Sequence, residues 1–400
     1  MPAAEKPSWR FVALLTSLAT IGPFAIDTYL PAFREISSEL NTSATAVQQT
    51  LTAYLFAFML MTLWHGVLSD RFGRRKIILW GVGIYVAASL GCALAQSLPQ
   101  LLFFRVLQGL AAGSGMIVTR ALVRDLYQGA AAQIVMSRIA VMFAIAPAIA
   151  PIIGGYLQVW FGWRAIFLFL MGSGALVWLA SYKYLPETLP IAQRQPLTPL
   201  PLLRSYAEVL SYLPFVMLSL ALAACFGGMF LYVLSAPAFL MNLLHLREDQ
   251  FYWLFLPSTM GMMLGSWISG KVAERWRHTQ TLLCACALMF IAALLNVATS
   301  YFVPAGVPWS IIHLPLYTIG MAMAMPTLTL LALDLFPARR GMAASCQSFI
   351  HTGCNSLVAG IAAPLLWGST LHLALGMLSA LLLCVVLLLL LNHKQQWFRE

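Results

Sequence analysis

Charged residues are scarce in this sequence of 400 residues: Asp, Glu, Lys and Arg make up 9% of it, whereas 61% is hydrophobic. A soluble domain carries about 25% charged residues, so this composition cannot build a surface that faces water. The scarcity excludes a soluble enzyme, a nucleic-acid-binding protein and a disordered chain. The uncharged stretches 278–333 and 341–393 are each long enough for two membrane-spanning helices, which need about 20 mostly apolar residues apiece. The sequence therefore predicts a polytopic membrane protein.

Cysteine and histidine are too dispersed for a disulfide framework or a metal site. The seven cysteines are scattered through apolar stretches, and the seven histidines have no evident charged partner. Cys284 and Cys286 are two residues apart on a predicted helix, so they do not share a face. A membrane enzyme or a sensor would need clustered His, Asp or Cys. We therefore expect no metal, no cofactor and no enzymatic activity.

What the sequence does contain is a series of twelve apolar spans, separated by turn and charge signals. They lie at 11–32, 47–68, 77–95, 99–123, 133–158, 164–184, 211–236, 250–270, 280–300, 309–332, 341–365 and 371–391. The predicted fold class is an all-α membrane protein with twelve transmembrane helices.

Lysine and arginine alternate between the two sides of these spans. If the N-terminus is cytoplasmic, nineteen of the 23 basic residues lie in or beside inside loops, whereas Arg34, Arg164 and Arg247 lie outside. Basic residues concentrate in cytoplasmic loops, and one missed or extra span would scramble the alternation. We predict that both termini are cytoplasmic, and we interpret the net charge of +10 as a topology signal.

A proline-rich connection divides the chain into two groups of six spans. It covers residues 186–210 and is typical of a semi-rigid linker. Similar hexapeptides follow the second span of each group, at 66–71 and 270–275, and both read G-x-[LV]-[SA]-[DE]-R. We predict an N-terminal six-helix bundle (1–185), a cytoplasmic linker (186–210) and a C-terminal six-helix bundle (211–400), with the bundles as pseudo-repeats.

Several motifs resemble those of the major facilitator superfamily. The loop 66–76, GVLSDRFGRRK, is similar to the signature between its second and third helices, and RVLQG at 105–109 resembles its R-x-x-Q-G motif. The segment 146–155, APAIAPIIGG, resembles the antiporter motif G-P-x-x-G-P-x-x-G-G, with alanine in place of the two glycines before proline. IDTYLP at 26–31 and LPETL at 185–189 resemble the bicyclomycin/chloramphenicol resistance (Bcr/CflA) branch of multidrug:proton antiporters.

This resemblance implies proton-coupled efflux of lipophilic drugs across the bacterial inner membrane by alternating access. The implied drugs are chloramphenicol- or bicyclomycin-like or cationic, and the implied partners are these substrates, protons and membrane lipid, without nucleic acid. The protein is expected to be a monomer. The alternative within the same fold is an exporter of a sugar or another endogenous metabolite.

Asp27 is the only acidic residue inside a predicted span. It follows Arg10 by 17 residues, which at about 1.5 Å per residue places it about 25 Å along the helix, toward the outer end. Acidic groups within the membrane are costly to bury and functional by default, so we predict that Asp27 binds and releases a proton. The resemblance implies that Arg105, at a comparable depth, is coupled to it. Alternatively, Asp27 sits in headgroup water or bonds the backbone near Pro31, and Arg105 extends its guanidinium outward.

The loop 66–76 is the second predicted functional element. Its glycines allow a tight turn and a close helix approach, and its acid can cap the next helix or pair with arginine. The resemblance implies a conformational latch that closes the cytoplasmic side, formed by Gly66, Asp70, Arg71, Gly73, Arg74 and Asp125. The alternative is that the loop only anchors the topology through its positive charge.

The fifth span carries prolines where a helix would normally continue. Pro147 and Pro151 each remove a backbone donor, and Gly154 and Gly155 follow them. We expect this helix to be bent and to pack closely against the other half of the molecule. In the family, this motif marks exporters.

Aromatic and methionine side chains suit loose recognition of flat lipophilic molecules, because they repack and make few directional demands. Phe226 and Gln347 are among the candidates offered by the second half. The predicted substrate contacts are Asp27, Tyr29, Tyr54, Phe58, Met142, Phe143, Phe230 and Asn355.

Overall fold

The computed structural model describes residues 8–194 and 199–395, and in these ranges it contains helices and no strands. The first half holds α1 (Trp9–Asp27), α2 (Phe33–Glu39), α3 (Ala44–Thr62), α4 (Trp64–Phe72), α5 (Arg74–Ala93), α6 (Leu98–Leu126), α7 (Gly129–Phe161) and α8 (Trp163–Tyr184). The second half holds α9 (Pro199–Ser211), α10 (Leu213–Leu234), α11 (Tyr252–Val272), α12 (His278–Phe302), α13 (Leu314–Asp334), α14 (Arg340–Leu357), α15 (Ala363–Leu366) and α16 (Thr370–Gln395). The predicted all-α class is confirmed.

Eleven helical segments of the described residues are long and apolar enough to cross a membrane. The predicted span at 250–270 is α11, which is long enough but is not among the eleven. Its buried face explains why, because Ser258, Thr259, Gly261 and Gly265 lie there in place of larger apolar residues. With α11 included, the helices match the predicted series of twelve.

Three of the spans, the first, second and eleventh, are assembled from several helical pieces. In the second span α3 ends at Thr62 and α4 begins at Trp64. In the first span a 3-10 turn at Leu30–Ala32 joins α1 to α2. Pro31 lies in this turn, and proline cannot continue an α-helix because it lacks the backbone N–H. In the eleventh span a π-helical segment, Val358–Ala362, joins α14 to α15. The break after α1 places Asp27 at the very end of that helix.

Internal contacts divide the chain into two compact units, Met1–Pro199 and Leu200–Glu400. In the first unit α6 packs against α3 and α5, and α1 packs against α6 and α7. In the second unit α13 packs against α11 and α12, and α10 packs against α13 and α14. When the six spans of each unit are counted in order, the same neighbours recur, so each unit repeats one packing plan.

The boundary between the units falls inside the predicted linker 186–210. Residues 195–198 of that linker lie outside the described residues, as do residues 1–7 and 396–400 at the chain ends. The last part of the linker forms α9, which buries Tyr206 and Val209, while Glu208 accepts a hydrogen bond from Arg339 Nη1 at 2.9 Å. This part of the chain is therefore helical and packed within the second unit, because its apolar residues recur at helical spacing.

Candidate functional site

A buried arginine lies at the centre of the polar residues of the first unit. Arg105 on α6 is fully buried, and its Cζ lies 4.7 Å from the ring centroid of Tyr29 and 4.4 Å from that of Tyr54. Its Nη1 donates hydrogen bonds to the Ala25 carbonyl at 3.1 Å and to Gln108 Oε1 at 2.6 Å. A guanidinium held over two aromatic faces is stabilised by cation–π attraction, which is stronger where water is absent. The site thus places a guanidinium in the buried interior of the first unit.

Further hydrogen bonds connect this centre to the neighbouring helices. Gln108 Nε2 donates to Ser89 Oγ on α5 at 2.8 Å. The Tyr29 hydroxyl lies 2.8 Å from Thr50 Oγ1 on α3. The Tyr54 hydroxyl, in turn, donates to the Gly22 carbonyl on α1 at 3.1 Å. The arginine site is therefore built jointly by α1, α3, α5 and α6.

Arg105 is bound to the segment of α1 that carries Asp27, but the two side chains do not form an ion pair. Asp27 is 5% exposed and lies two residues after Ala25, the residue whose carbonyl binds Arg105. Among the described residues, the carboxylate of Asp27 forms no ion pair. Two buried nitrogens of Arg105, Nε and Nη2, also have no hydrogen-bond partner in this part of the chain. The coupling of these two residues stays a prediction, and the structure identifies which donors are unused.

The predicted substrate contacts fall into three groups. Tyr29 and Tyr54 are fully buried and form the walls around Arg105, and Phe58 stacks on Tyr54 with ring centroids 6.4 Å apart. Met142 and Phe143 are exposed side chains of α7. The remaining two, Phe230 and Asn355, are buried in the second unit. Their roles in substrate binding stay predictions.

The loop between α4 and α5 brings three of the predicted latch residues together. Arg74, at the first position of α5, forms an ion pair with Asp70. Its Nε donates to Asp125 Oδ2 at 3.2 Å, and its Nη1 donates to Ser69 Oγ at 2.6 Å. Asp125 lies near the end of α6, so the arginine fastens α4 and α5 to α6.

Two further residues of this cluster were missed by the sequence prediction of a latch. Glu187 Oε1, beyond the end of α8, accepts hydrogen bonds from the backbone N–H groups of Arg74 at 2.9 Å and Leu189 at 3.1 Å. Thr188 Oγ1 donates to Asp125 Oδ2 at 2.8 Å. From the sequence alone, the segment 185–189 had served only as a sign of resemblance to the family. A usable signal was the lack of a capping side chain at the start of α5, because the first N–H groups of a helix need an acceptor.

Gly73 explains why that acceptor comes from elsewhere. Its φ of +99° lies in the region that favours glycine, and glycine has no side chain that could cap α5. A Cβ built at this position would lie 2.3 Å from Glu187 Oε2, so the carboxylate occupies the space left by the missing side chain. The predicted tight turn at Gly73 is present. Its cap is Glu187, which comes from the end of the first unit's sequence.

Two predicted latch residues stand apart from the cluster. Arg71 is exposed and is not one of the residues that contact Arg74. No described atom lies within 4 Å of a Cβ built at Gly66, because this glycine is on a half-exposed face of α4. The close helix approach expected at Gly66 is therefore not made in this structure.

A similar remote cap occurs at the opposite end of the bundle. Gly162 has a φ of +77° and precedes α8, and the Trp163 N–H donates to Glu35 Oε2 at 3.0 Å. Trp163 Nε1 donates to Glu39 Oε2 at 2.6 Å. The first unit therefore starts two of its helices, α5 and α8, with a glycine turn and a distant glutamate.

The segment that resembles the antiporter motif packs directly beside Asp27. The α7 helix is continuous through Pro147 and Pro151, and the predicted bend stays a prediction. A Cβ built at Gly154 would lie 2.1 Å from the carbonyl oxygen of Thr28, the residue after Asp27. Gly155 is also buried. Gly154 thus makes a close approach to the end of α1 within the first unit. The packing that we expected against the other half stays a prediction.

A protein-family model matches most of this sequence. The model described as Major Facilitator Superfamily covers residues 12–363, which include every motif residue discussed above. The chain belongs to the major facilitator superfamily. As a member of this superfamily with many apolar helices, it is a multi-pass membrane transporter of small molecules.

Curated relatives in this superfamily span most of the chain. The uncharacterized MFS-type transporter YdgK of Bacillus subtilis is 30% identical over 348 residues, 86% of each chain. The bicyclomycin resistance protein homolog of Haemophilus influenzae is 30% identical over 302 residues, 74% of each chain. The chloramphenicol resistance protein of Pseudomonas aeruginosa is 31% identical over 334 residues, 81% of this chain and 77% of that protein. The predicted resemblance to the resistance branch of the superfamily is confirmed.

Proposed function

We propose that this protein is a drug:proton antiporter of the bacterial inner membrane, with both termini in the cytoplasm. The observation that carries the proposal is the buried carboxylate of Asp27, close along α1 to the residue that binds Arg105. The names of two relatives, a chloramphenicol resistance protein and a bicyclomycin resistance protein homolog, support drugs as the exported cargo.

The arrangement supports a simple coupling scheme. An ionised Asp27 needs a counter-charge, because an unpaired charge inside a bundle is costly. The two unused nitrogens of Arg105 are donors suited to a carboxylate oxygen. When a proton from outside binds Asp27, the carboxyl no longer needs the guanidinium, which keeps its bonds to Ala25 and Gln108. Release of that proton to the cytoplasm restores the charge. Drug that binds once the proton has left, and is then carried outward, completes one exchange.

Packing of the α7 motif against the end of α1 gives this exchange a mechanical route. Gly154 lies against the carbonyl of Thr28, the residue that follows Asp27. A change in the charge of Asp27 that moves the end of α1 would therefore move α7 as well. In the proposal, Asp70, Arg74 and Asp125 form the latch of the cytoplasmic side, and Glu187 holds the turn that positions it.

The proposal is tested by replacing Asp27 with Asn, which keeps the shape of the side chain and removes its proton chemistry. In everted membrane vesicles, we expect Asp27→Asn to abolish drug-dependent proton exchange while the protein is still produced at the normal level. Glu248→Gln is the matched control, because Glu248 is an acid in a loop outside the spans.

Exchange that continues unchanged in Asp27→Asn would refute the proton-coupling role. Saturable export of a metabolite by a wild-type protein that moves no drug would support the alternative cargo, a sugar or another endogenous compound.

A further inference from the structure

Helix α14 of the second unit carries three polar residues on one face. Gln347, His351 and Asn355, here called the α14 ladder, are spaced by four residues. Residues spaced in this way lie one above another on a helix, here over about 12 Å. Gln347 is 5% and Asn355 is 6% exposed, so both amides are more than nine-tenths buried. The ladder is a polar stripe within a mostly apolar bundle.

Each member of the ladder has a buried polar atom without a hydrogen-bond partner in the described part of the chain. These atoms are Gln347 Nε2, His351 Nε2 and Asn355 Oδ1. Nearly all buried polar groups in folded proteins are paired, so three unpaired ones on one helix face call for a partner. Another buried amide in the same unit provides the contrast, because Asn296 Nδ2 donates to the Tyr232 hydroxyl at 2.7 Å.

The ladder faces an aromatic surface on α10. The Phe226 ring lies 4.9 Å from the ring of His351 and 5.1 Å from that of Phe230, measured between centroids. Phe226 and Phe230 are here called the phenylalanine pair. Beside them, a Cβ built at Gly227 would have Val358 as its only neighbour, at 3.9 Å. There is therefore free space next to the two rings. A flat apolar group could therefore stack on the pair while its polar edge reaches the ladder.

The π-helical segment that follows the ladder is a second, independent feature of this place. Val358–Ala362 begins three residues after Asn355. A π-helical turn is rare and occurs frequently at functional sites, because it widens the helix and redirects the side chains before it. It lies at the end of α14 that carries Asn355.

The ladder and the phenylalanine pair carry no formal charge, and the charges of α14 are engaged elsewhere. Arg340, at the first position of α14, donates from Nη2 to Asp334 Oδ1 at 2.6 Å. Arg339, just before the helix, binds Glu208. The described acidic residues of the second unit lie in loops and at helix ends, and none is in the spanning parts of α10 or α14. A buried cation would need a counter-charge that this face does not offer.

We propose that the α14 ladder and the phenylalanine pair form a recognition site for neutral aromatic compounds that carry amide or hydroxyl groups. Side-chain amides can both donate and accept, so they match a ligand that contains both kinds of group. This inference rests on the proposed function, and it narrows the cargo from lipophilic drugs in general to neutral, hydrogen-bonding ones.

The test compares two probes in purified transporter in nanodiscs, without a proton gradient. Chloramphenicol is neutral and aromatic and carries an amide and hydroxyls, whereas tetraphenylphosphonium is a lipophilic cation without hydrogen-bonding groups. Loss of one ligand hydrogen bond weakens binding by about tenfold. We expect Gln347→Ala and Asn355→Ala each to raise the Kd for chloramphenicol by about that factor and to change the Kd for tetraphenylphosphonium less than about twofold.

Two control variants separate recognition from folding. Ser348→Ala removes a polar group from the neighbouring position of α14, about 100° around the helix, and should bind both probes like the wild type. Asn355→Ser keeps a hydrogen-bonding group and should retain more chloramphenicol binding than Asn355→Ala.

Equal losses for both probes, or no loss for chloramphenicol, would overturn the proposed site. A wild-type protein that binds only the cation, or neither probe, would overturn it as well. Because binding is measured without a gradient, a protein that binds chloramphenicol through the ladder but exchanges no protons would refute the antiporter and leave the site standing. If the ladder variants export chloramphenicol in exchange for protons as well as the wild type does, the antiporter stands and the proposed site is refuted.

Discussion

Replacing Glu187 with alanine would remove the cap of α5 without touching the charged residues of the latch. The carboxylate accepts two backbone N–H groups, from Arg74 at 2.9 Å and from Leu189 at 3.1 Å. A hydrogen bond to a charged group contributes about 1.5–3 kcal/mol, and loss of a helix cap costs about 0.5–2 kcal/mol. The side chain is 31% exposed, so the effect falls toward the lower end of these ranges. We expect Glu187→Ala to destabilise the turn by about 1–2 kcal/mol.

The expected consequence is local opening at the start of α5. A cost of about 1–2 kcal/mol corresponds to a 5- to 30-fold rise in the population of the opened turn, by the usual relation between free energy and population. Hydrogen–deuterium exchange of a peptide that covers residues 72–80 measures this directly in nanodiscs. Glu187→Gln is the control, because its amide oxygen can still accept both hydrogen bonds and should keep most of the protection.

An unchanged exchange rate in Glu187→Ala would refute the reasoning, since it would mean that the remote cap does not hold the turn. Equal deprotection in both variants would show that the charge of Glu187, and not its role as an acceptor, stabilises the turn. Drug efflux measured on the same variants should fall with the loss of protection, because the turn positions Arg74 between Asp70 and Asp125.

Two further predictions use glycines in matched pairs. Gly73→Ala forces a side chain into a positive φ and against the capping carboxylate, so we expect it to lower the free energy of unfolding by about 1–2 kcal/mol or more. Gly66→Ala, which meets no atom within 4 Å, should leave the thermal unfolding midpoint within a degree or two of the wild type. Gly154→Ala places a Cβ 2.1 Å from a backbone carbonyl at the end of α1, and we expect reduced drug-dependent proton exchange in vesicles. Gly172→Ala, with open space around it, is its control; equal effects within either pair would contradict the packing argument.

The spans were predictable because a membrane helix is specified locally. Runs of uncharged apolar residues located all twelve spans, including α11, which is not among the eleven segments that are apolar enough by composition alone. The helix α9 was interpreted as linker, because prolines dominate the start of that segment and its apolar positions span only about three turns. Short amphipathic helices derive their stability from packing, and packing is not visible in a short stretch of sequence.

The candidate site was predictable in part. Asp27, Arg105 and the cluster of Asp70, Arg74 and Asp125 were identified from motifs and from the cost of charge in a membrane. The aromatic environment of Arg105 was not identified, because Tyr29 and Tyr54 come from separate segments of the chain and were interpreted as substrate contacts. The general reason is that a motif specifies which residues matter, whereas contacts between distant segments depend on the register in which helices pack.

The distant caps of the first unit also set an order for its biosynthesis. Glu187 follows Arg74 by 113 residues, so the first N–H of α5 lacks its acceptor until α8 has been made. At the other end, Trp163 comes 128 residues after Glu35, so α8 meets a cap that was already synthesised. Completion of the sixth span therefore closes both turns almost together. A ribosome that has just passed Glu187 has supplied both of these distant caps before any span of the second unit is translated.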